Sequence, residues 1–258
     1  MELKYMDSVV ETIDKLITNG FPKSTILYGE EGSGRKSICK YIADRLNIEL
    51  REVADLSGAY DFVNQTLLMV QYNRLSNSDI QSLLKVLEEP PELCTIVIIA
   101  ETQHSTISMI RNRCVPINMP KYSPKELMDF TDSELVANCC GTPGLAKKLT
   151  EETVKSIMDL CSLIIAKMSV ASLSNSLQIS DRFNLDAETT DKFDVSVFCR
   201  IMPTVVLDYY SSHSISFYQA RLIMVETEEL GCEIHRPSYN KRQLFDSYII
   251  SLKEILST

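Results

Sequence analysis

The chain has 258 residues, 45% of them hydrophobic and 24% charged, enough polypeptide for one large domain or two to three small ones with a real core. No apolar run approaches the ~18–20 residues that a bilayer span requires, and Met1-Glu2-Leu3-Lys4-Tyr5-Met6-Asp7 lacks the charged-then-apolar order of a secretory signal, so the expected address is cytoplasmic with no membrane partner. A net charge of −9 argues against a chain that grips nucleic acid alone, because phosphate neutralisation calls for a basic surface.

Over roughly the first 120 residues, short apolar runs alternate with helical patterns, the signature of an α/β fold with a parallel sheet. Thr25–Tyr28 predicts a buried strand ending at Gly29, and Ser37–Leu46 a helix with Ile38, Tyr41 and Ile42 on one side. Ile48–Val53 alternates as a half-buried strand does, and Thr66–Val70 reads as a third strand. Ser76 with Asp79 three residues on resembles a capping box. The helix it opens puts Ile80, Leu83, Leu84 and Leu87 on one face and stops at Pro90-Pro91. Thr95–Ala100 is uninterrupted and apolar, as the middle of a parallel sheet demands. Cys114–Ile117 is a shorter strand whose proline predicts an edge.

After Pro120 the pattern turns helical. Ser123-Pro124-Lys125-Glu126 combines a cap, a proline in the first turn and a glutamate three after the cap. Gly141-Thr142-Pro143-Gly144 breaks the run. Helices are predicted over Lys155–Met168, Val195–Tyr210, Phe217–Leu230 and Lys241–Leu256, with Pro203 expected to kink or split the second. Ser169–Asp194 is polar and has no clear period. Eight cysteines lie mostly in apolar stretches without a C-x-x-C pair, so they read as small buried hydrophobes rather than disulfides or zinc ligands. His104, His213 and His235 are dispersed and read as ordinary surface or core histidines. Tyr209-Tyr210 and Phe245-Tyr248-Ile249-Leu252 fit either an oligomerisation face or the helical region's own core.

Strand, glycine-rich turn and helix follow one another at Gly29-Glu30-Glu31-Gly32-Ser33-Gly34-Arg35-Lys36-Ser37. A phosphate-binding loop reads G-x-x-x-x-G-K-[ST]: backbone N–H groups cradle phosphate, the lysine reaches the terminal phosphates and the hydroxyl holds Mg²⁺. Gly29, Gly32 and Gly34 fit. Arg35 stands at the lysine position and Lys36 at the hydroxyl position. A one-residue slip aligns Lys36-Ser37 but puts Arg35 where the last glycine belongs, and one residue around a helix turns a side chain by ~100°. Glu30 and Glu31 add negative charge beside an anion site. Two readings stay open: an inherited turn that no longer takes nucleotide, and weak binding without hydrolysis.

Ser82-Leu83-Leu84-Lys85-Val86-Leu87-Glu88-Glu89-Pro90-Pro91-Glu92, an apolar strand, and then Ile110-Arg111-Asn112-Arg113-Cys114 resemble the bacterial clamp-loader family, the gamma/tau and delta-prime subunits of DNA polymerase III. That family carries an "LLK-x-LEEPPE" segment, a sensor strand and an "I-R-S-R-C" box at this spacing. Phe21–Gly29 is similar to its lead-in to the loop, Gly141–Ala146 to its "G-S-P-G-x-A", and Arg221–Leu256 to its final collar helices. The resemblance implies a RecA-like AAA+ domain over 1–119, a helical lid over 120–150 and a helical collar over 151–258. It further implies a pentameric ring with other clamp-loader subunits, a sliding clamp and, through the complex, primer-template DNA.

The same resemblance implies departures. Val70-Gln71 stands where active members have Asp-Glu, which hold metal and water. Ala100-Glu101 replaces a polar sensor pair, and the second sensor arginine would fall near Gly144-Leu145. No bound cofactor and no metal of the chain's own is therefore expected, with ATP and Mg²⁺ held at a neighbouring subunit's site. Arg113 matches the family's arginine finger, donated in trans, with Arg111 as the fallback; Asn112 replaces the usual serine. Only ~30 residues separate Lys36 from Thr66, too few for the family's four-cysteine zinc module, and this compactness would suit a phage-encoded or otherwise minimal loader. Glu88-Glu89 shows no second partner for acid–base catalysis. The expected function is a delta-prime-like loader subunit without ATPase activity of its own. The alternatives are an active but divergent ATPase using Lys36 or Arg35, and a replication-associated adaptor.

Overall fold

The aliphatic runs read from the sequence become five strands in the computed structural model, which describes residues 3–53, 56, 58–168, 170–183, 193–234 and 239–257. They are β1 (Ser24–Tyr28), β2 (Glu49–Val53), β3 (Thr66–Gln71), β4 (Cys94–Ala100) and β5 (Val115–Asn118). All pair in parallel, in the order β2-β3-β4-β1-β5. β4 is the middle strand, which is why its sequence is apolar on both faces. β2 and β5 are the edges. β2 keeps its charged residues exposed, and Pro116 sits where a missing N–H is tolerated.

The described residues divide into two compact units. The first holds those of Met1–Phe130 and Gly141–Lys147. It contains the sheet and α1 (Asp7–Thr18), α2 (Arg35–Leu46), α3 (Asn77–Glu88), α4 (Ser108–Arg111) and α5 (Pro124–Leu127). Side chains alternate across each strand. Ile26, Leu68, Val70, Ile96 and Ile98 form one core with Leu83, Leu84 and Leu87 of α3 and Ile110 of α4. The alternate residues, including Leu27, Leu67 and Ile99, are buried, as are Ile13 of α1 and Ile38 and Ile42 of α2. Both expected capping boxes form: Ser76 with Asp79 opens α3, and Ser123 with Glu126 opens α5.

The second unit takes the described residues of Thr131–Cys140, Lys148–Ile234 and Tyr239–Thr258. It begins with α6 (Glu134–Cys140); the chain then returns to the first unit through most of α7 (Pro143–Lys148). The sequence reading had Pro143-Gly144 as part of a break, whereas the proline starts α7, where its missing N–H costs nothing. The second unit continues with α8 (Glu151–Lys167), α9 (Leu173–Leu177), α10 (Val195–Ser211), α11 (Phe217–Glu233) and α12 (Lys241–Ser257). Pro203 does not split α10. Phe198, Ile201 and Met202 on one side of it and Val205 and Val206 on the other are all buried, so packing outweighs the lost hydrogen bond. Phe183, Phe198, Phe245 and Tyr248 stack edge-on or tilted. Phe245, Tyr248, Ile249 and Leu252 are thus this unit's core rather than an oligomerisation face, while Tyr210 is exposed. Six of the eight cysteines are buried. His235 and residues 184–192 of the polar stretch lie outside the described residues. Among the described residues, no helix is long and apolar enough to cross a membrane.

Candidate functional site

The glycine-rich turn leaves the end of β1 and enters α2 at Gly34. Gly32 and Gly34 have φ of +80° and +94°, a left-handed backbone that a Cβ would strain. Both are also covered by protein. A Cβ at Gly32 would stand 2.8 Å from Gly144 Cα and 2.8 Å from Thr142 Oγ1, and one at Gly34 would collide with Met6 Cε. The Gly144 N–H donates to Gly32 O at 2.9 Å, and the Thr142 hydroxyl donates to Glu31 O at 2.8 Å. Tyr122 donates its hydroxyl to Ser33 O at 3.3 Å. The Ser33 side chain is buried within the turn, and its Oγ would lie 2.8 Å from a Cβ at Gly29.

The cations of the motif are answered from within the chain. Burial pulls the half-buried Arg35 guanidinium below its ordinary pKa; Glu101 and then Glu31 act against that. Glu101, the residue the resemblance sets against a polar sensor, is itself buried. Lys36 Nζ points to β2 and donates to both oxygens of Glu52 at 3.1 Å. Gln71 at the end of β3 donates to the same carboxylate. Partial burial raises the Glu52 pKa, but the hydrogen bonds from Lys36 and Gln71 outweigh it and hold the carboxylate below its ordinary value. Val70 is fully buried in the apolar core.

These residues do not fit a Mg²⁺-nucleotide. Where the resemblance expects a metal-holding acid stands the buried Val70, and the next residue, Gln71, is bound to Glu52. Lys36, at the motif's hydroxyl position, is paired on β2, and the charges of Glu101 and Glu31 act on Arg35. Metal-assisted attack by water, which needs an acid to hold ion or nucleophile, has no group at these positions to perform it.

Arg113 lies elsewhere. It follows α4 and precedes β5, whose Val115 pairs with Thr25 near the start of β1. The loop begins at Gly29, four residues further along β1. At ~3.3 Å per residue that is ~13 Å, before counting the two residues back to Arg113. The two sites therefore occupy opposite ends of the parallel sheet. Arg113 Nη1 donates to Met109 O at 2.8 Å, and Nη2 to Glu88 Oε1 at 2.6 Å. Its side chain is one-third exposed and that of Glu88 about half exposed. Arg111 instead donates to Gln103 O at 3.0 Å.

Of the residues singled out in the sequence, Gly29, Gly32, Gly34, Arg35, Lys36 and Ser37 thus share one turn and helix start, and Arg113 stands apart from them. The partners Glu52, Met6 and Glu88 were not legible as such. Glu52 looked like one charged step of an alternating strand, and only the parallel register of β2 beside β3 brings it to Gln71. Thr142 and Gly144 were visible as a motif, but their docking on Gly32 was not.

Residues 58–123 match the family described as DNA polymerase III, delta subunit. That span includes α3, the central strand and the Arg113 box. No curated protein matches the chain. Among solved structures, a Thermotoga maritima RuvB variant is 17% identical, with 93% of this chain and 85% of that one covered and a TM-score of 0.48. A DNA polymerase III gamma subunit-related protein from the same organism is 14% identical, covering 96% and 99%, at 0.46. The Bacillus subtilis DNA clamp loader delta protein YqeN is 12% identical, covering 95% and 99%, at 0.35. At these identities the structural likenesses do not speak to function.

Proposed function

We propose that the chain is a delta-prime-like clamp-loader subunit of the AAA+ class that hydrolyses no ATP itself, a reading supported by the match of residues 58–123 to the family described as DNA polymerase III, delta subunit. It assembles with ATPase subunits that load a sliding clamp on primer-template DNA, and it supplies Arg113 to a neighbour's nucleotide. Residues 120–150 would serve as the lid and 151–258 as the collar of that assembly. The observation that carries this reading is the position of Arg113 at the far end of the sheet from the chain's own loop. A guanidinium there cannot reach a phosphate in its own turn, yet it is exposed for another protomer's. Loop chemistry supports the same division, because each cation of the degenerate turn already has an acidic partner.

Within such an assembly the steps open to this chain are electrostatic. Arg113 would place fixed positive charge against the phosphate oxygens on which negative charge builds during transfer, the role for which arginine fingers are worth ~10³–10⁵ in rate. The ATP and Mg²⁺ belong to the neighbour's site. The test is the ATP turnover of the reconstituted complex carrying Arg113→Ala. Turnover at the neighbouring site should fall ~10³-fold while the ring still assembles. Unchanged turnover in an intact ring would defeat the finger assignment.

A further inference from the structure

We propose that Glu88 is the positioning residue for Arg113, holding the guanidinium plane so that its free edge faces the neighbouring subunit's nucleotide. The inference rests on the trans-finger reading and extends it to a residue that touches no nucleotide.

Glu88 is the last residue of α3; the chain leaves the helix at Glu89, ahead of Pro90-Pro91. A carboxylate in the last turn faces the negative end of the helix dipole and is disfavoured there. It needs a cation, and the one that meets it is Arg113 at 2.6 Å. Both partners stand on rigid supports. Leu87, next to Glu88, and Ile110 and Cys114, on either side of Arg113, belong to the same buried cluster. α3 and α4 pack on each other. The carboxylate and the Met109 carbonyl therefore fix the fork at two points from two directions.

That arrangement leaves the arginine usable. A guanidinium has five N–H donors, and these two bonds engage one on Nη1 and one on Nη2. Three donors are left for an anion. Because the fork is planar, fixing two points fixes the direction of the remaining three. A flexible arginine would have to be ordered during each turnover, whereas a held one is oriented in advance. Lysine at 113 could not reproduce this geometry, since an ammonium has no plane to orient.

The experiment is Mg-ATP turnover of the reconstituted complex with Glu88→Ala, Glu88→Gln and Arg113→Ala, recording kcat and KM separately and checking ring assembly by size-exclusion chromatography. A positioning role predicts that Glu88→Ala lowers kcat about tenfold, within what a misplaced catalytic group costs, and leaves KM unchanged. Glu88→Gln, which keeps an oxygen acceptor at the same place, should restore at least half of the loss. If Arg113→Ala collapses turnover while Glu88→Ala matches the unaltered complex, the positioning role is overturned and the finger stands. If Arg113→Ala itself changes nothing, both fall. A glutamine variant as slow as the alanine one, or a Glu88→Ala chain that no longer assembles, also overturns the proposal.

Discussion

A phosphate approaching the end of the sheet at Gly29–Ser37 meets occupied ground. Met6 lies on Gly34, Thr142 and Gly144 lie on Gly32, and Glu31 and Glu101 already answer Arg35. A phosphate approaching the opposite end meets Arg113, tethered at two points but with donors to spare. Both ends hold cations paired with carboxylates, so the presence of an ion pair does not distinguish them. What differs is whether binding must displace protein groups or only adds to them. The lesson is that packing and hydrogen bonds from Met6, Thr142 and Gly144 are enough to hold a glycine-rich turn in shape.

The widest separation between the two ends should come from charge removal in the assembled complex. Arg113→Ala should cut the neighbour's ATP turnover ~10³-fold, whereas Lys36→Ala should leave the rate as it was; side-by-side steady-state assays check this, and an effect in the reverse order would invert the comparison. The next largest effect concerns Val70. Val70→Asp buries a carboxylate amid Leu68, Ile96 and Ile98 and should cost about 3 kcal/mol or more, read by urea unfolding. A variant of undiminished stability would mean that this end of the sheet has room and solvent for an ion after all.

Gly144→Ala sharpens the packing side of the argument. Its Cβ would strike the Gly32 backbone, which cannot swing away as a side chain can. A loss of about 2 kcal/mol is expected, against a smaller loss for Gly20→Ser, where nothing stands within 4 Å of an added Cβ and only the strain of its positive φ counts. The smallest effect is the pH dependence of the Lys36–Glu52–Gln71 group. The folded carboxyl of Glu52 lies below its ordinary value of 4.5. A depressed carboxyl contributes stability that is fully present above that value and is lost as the pH falls through the folded pKa. Thermal unfolding should therefore separate the unaltered chain from Glu52→Gln by about 0.5 kcal/mol or less at neutral pH, since both side chains are largely exposed. The two curves should converge in acid.

Most of the sheet was readable because its signals are local. Strand runs, the two capping boxes and the edge proline each follow from neighbouring residues. Pro203 leaves α10 unsplit because local helix cost is outweighed by burial from both sides, which is a tertiary quantity. The departures of the glycine-rich turn from G-x-x-x-x-G-K-[ST] were legible from its own letters. The partners around it were not, because Glu52, Gln71 and Lys36 come from three separate elements and meet only through the register of parallel strands. Glu88 was visible inside its motif, yet its partner lies 25 residues on, and the spacing itself carries no signal of an ion pair.

The account stands most directly on Mg-ATP hydrolysis by the purified chain alone. It predicts no turnover above background, and no loss on Lys36→Ala because there is nothing to lose. Steady hydrolysis that Lys36→Ala abolishes would contradict it and make the glycine-rich turn a working site.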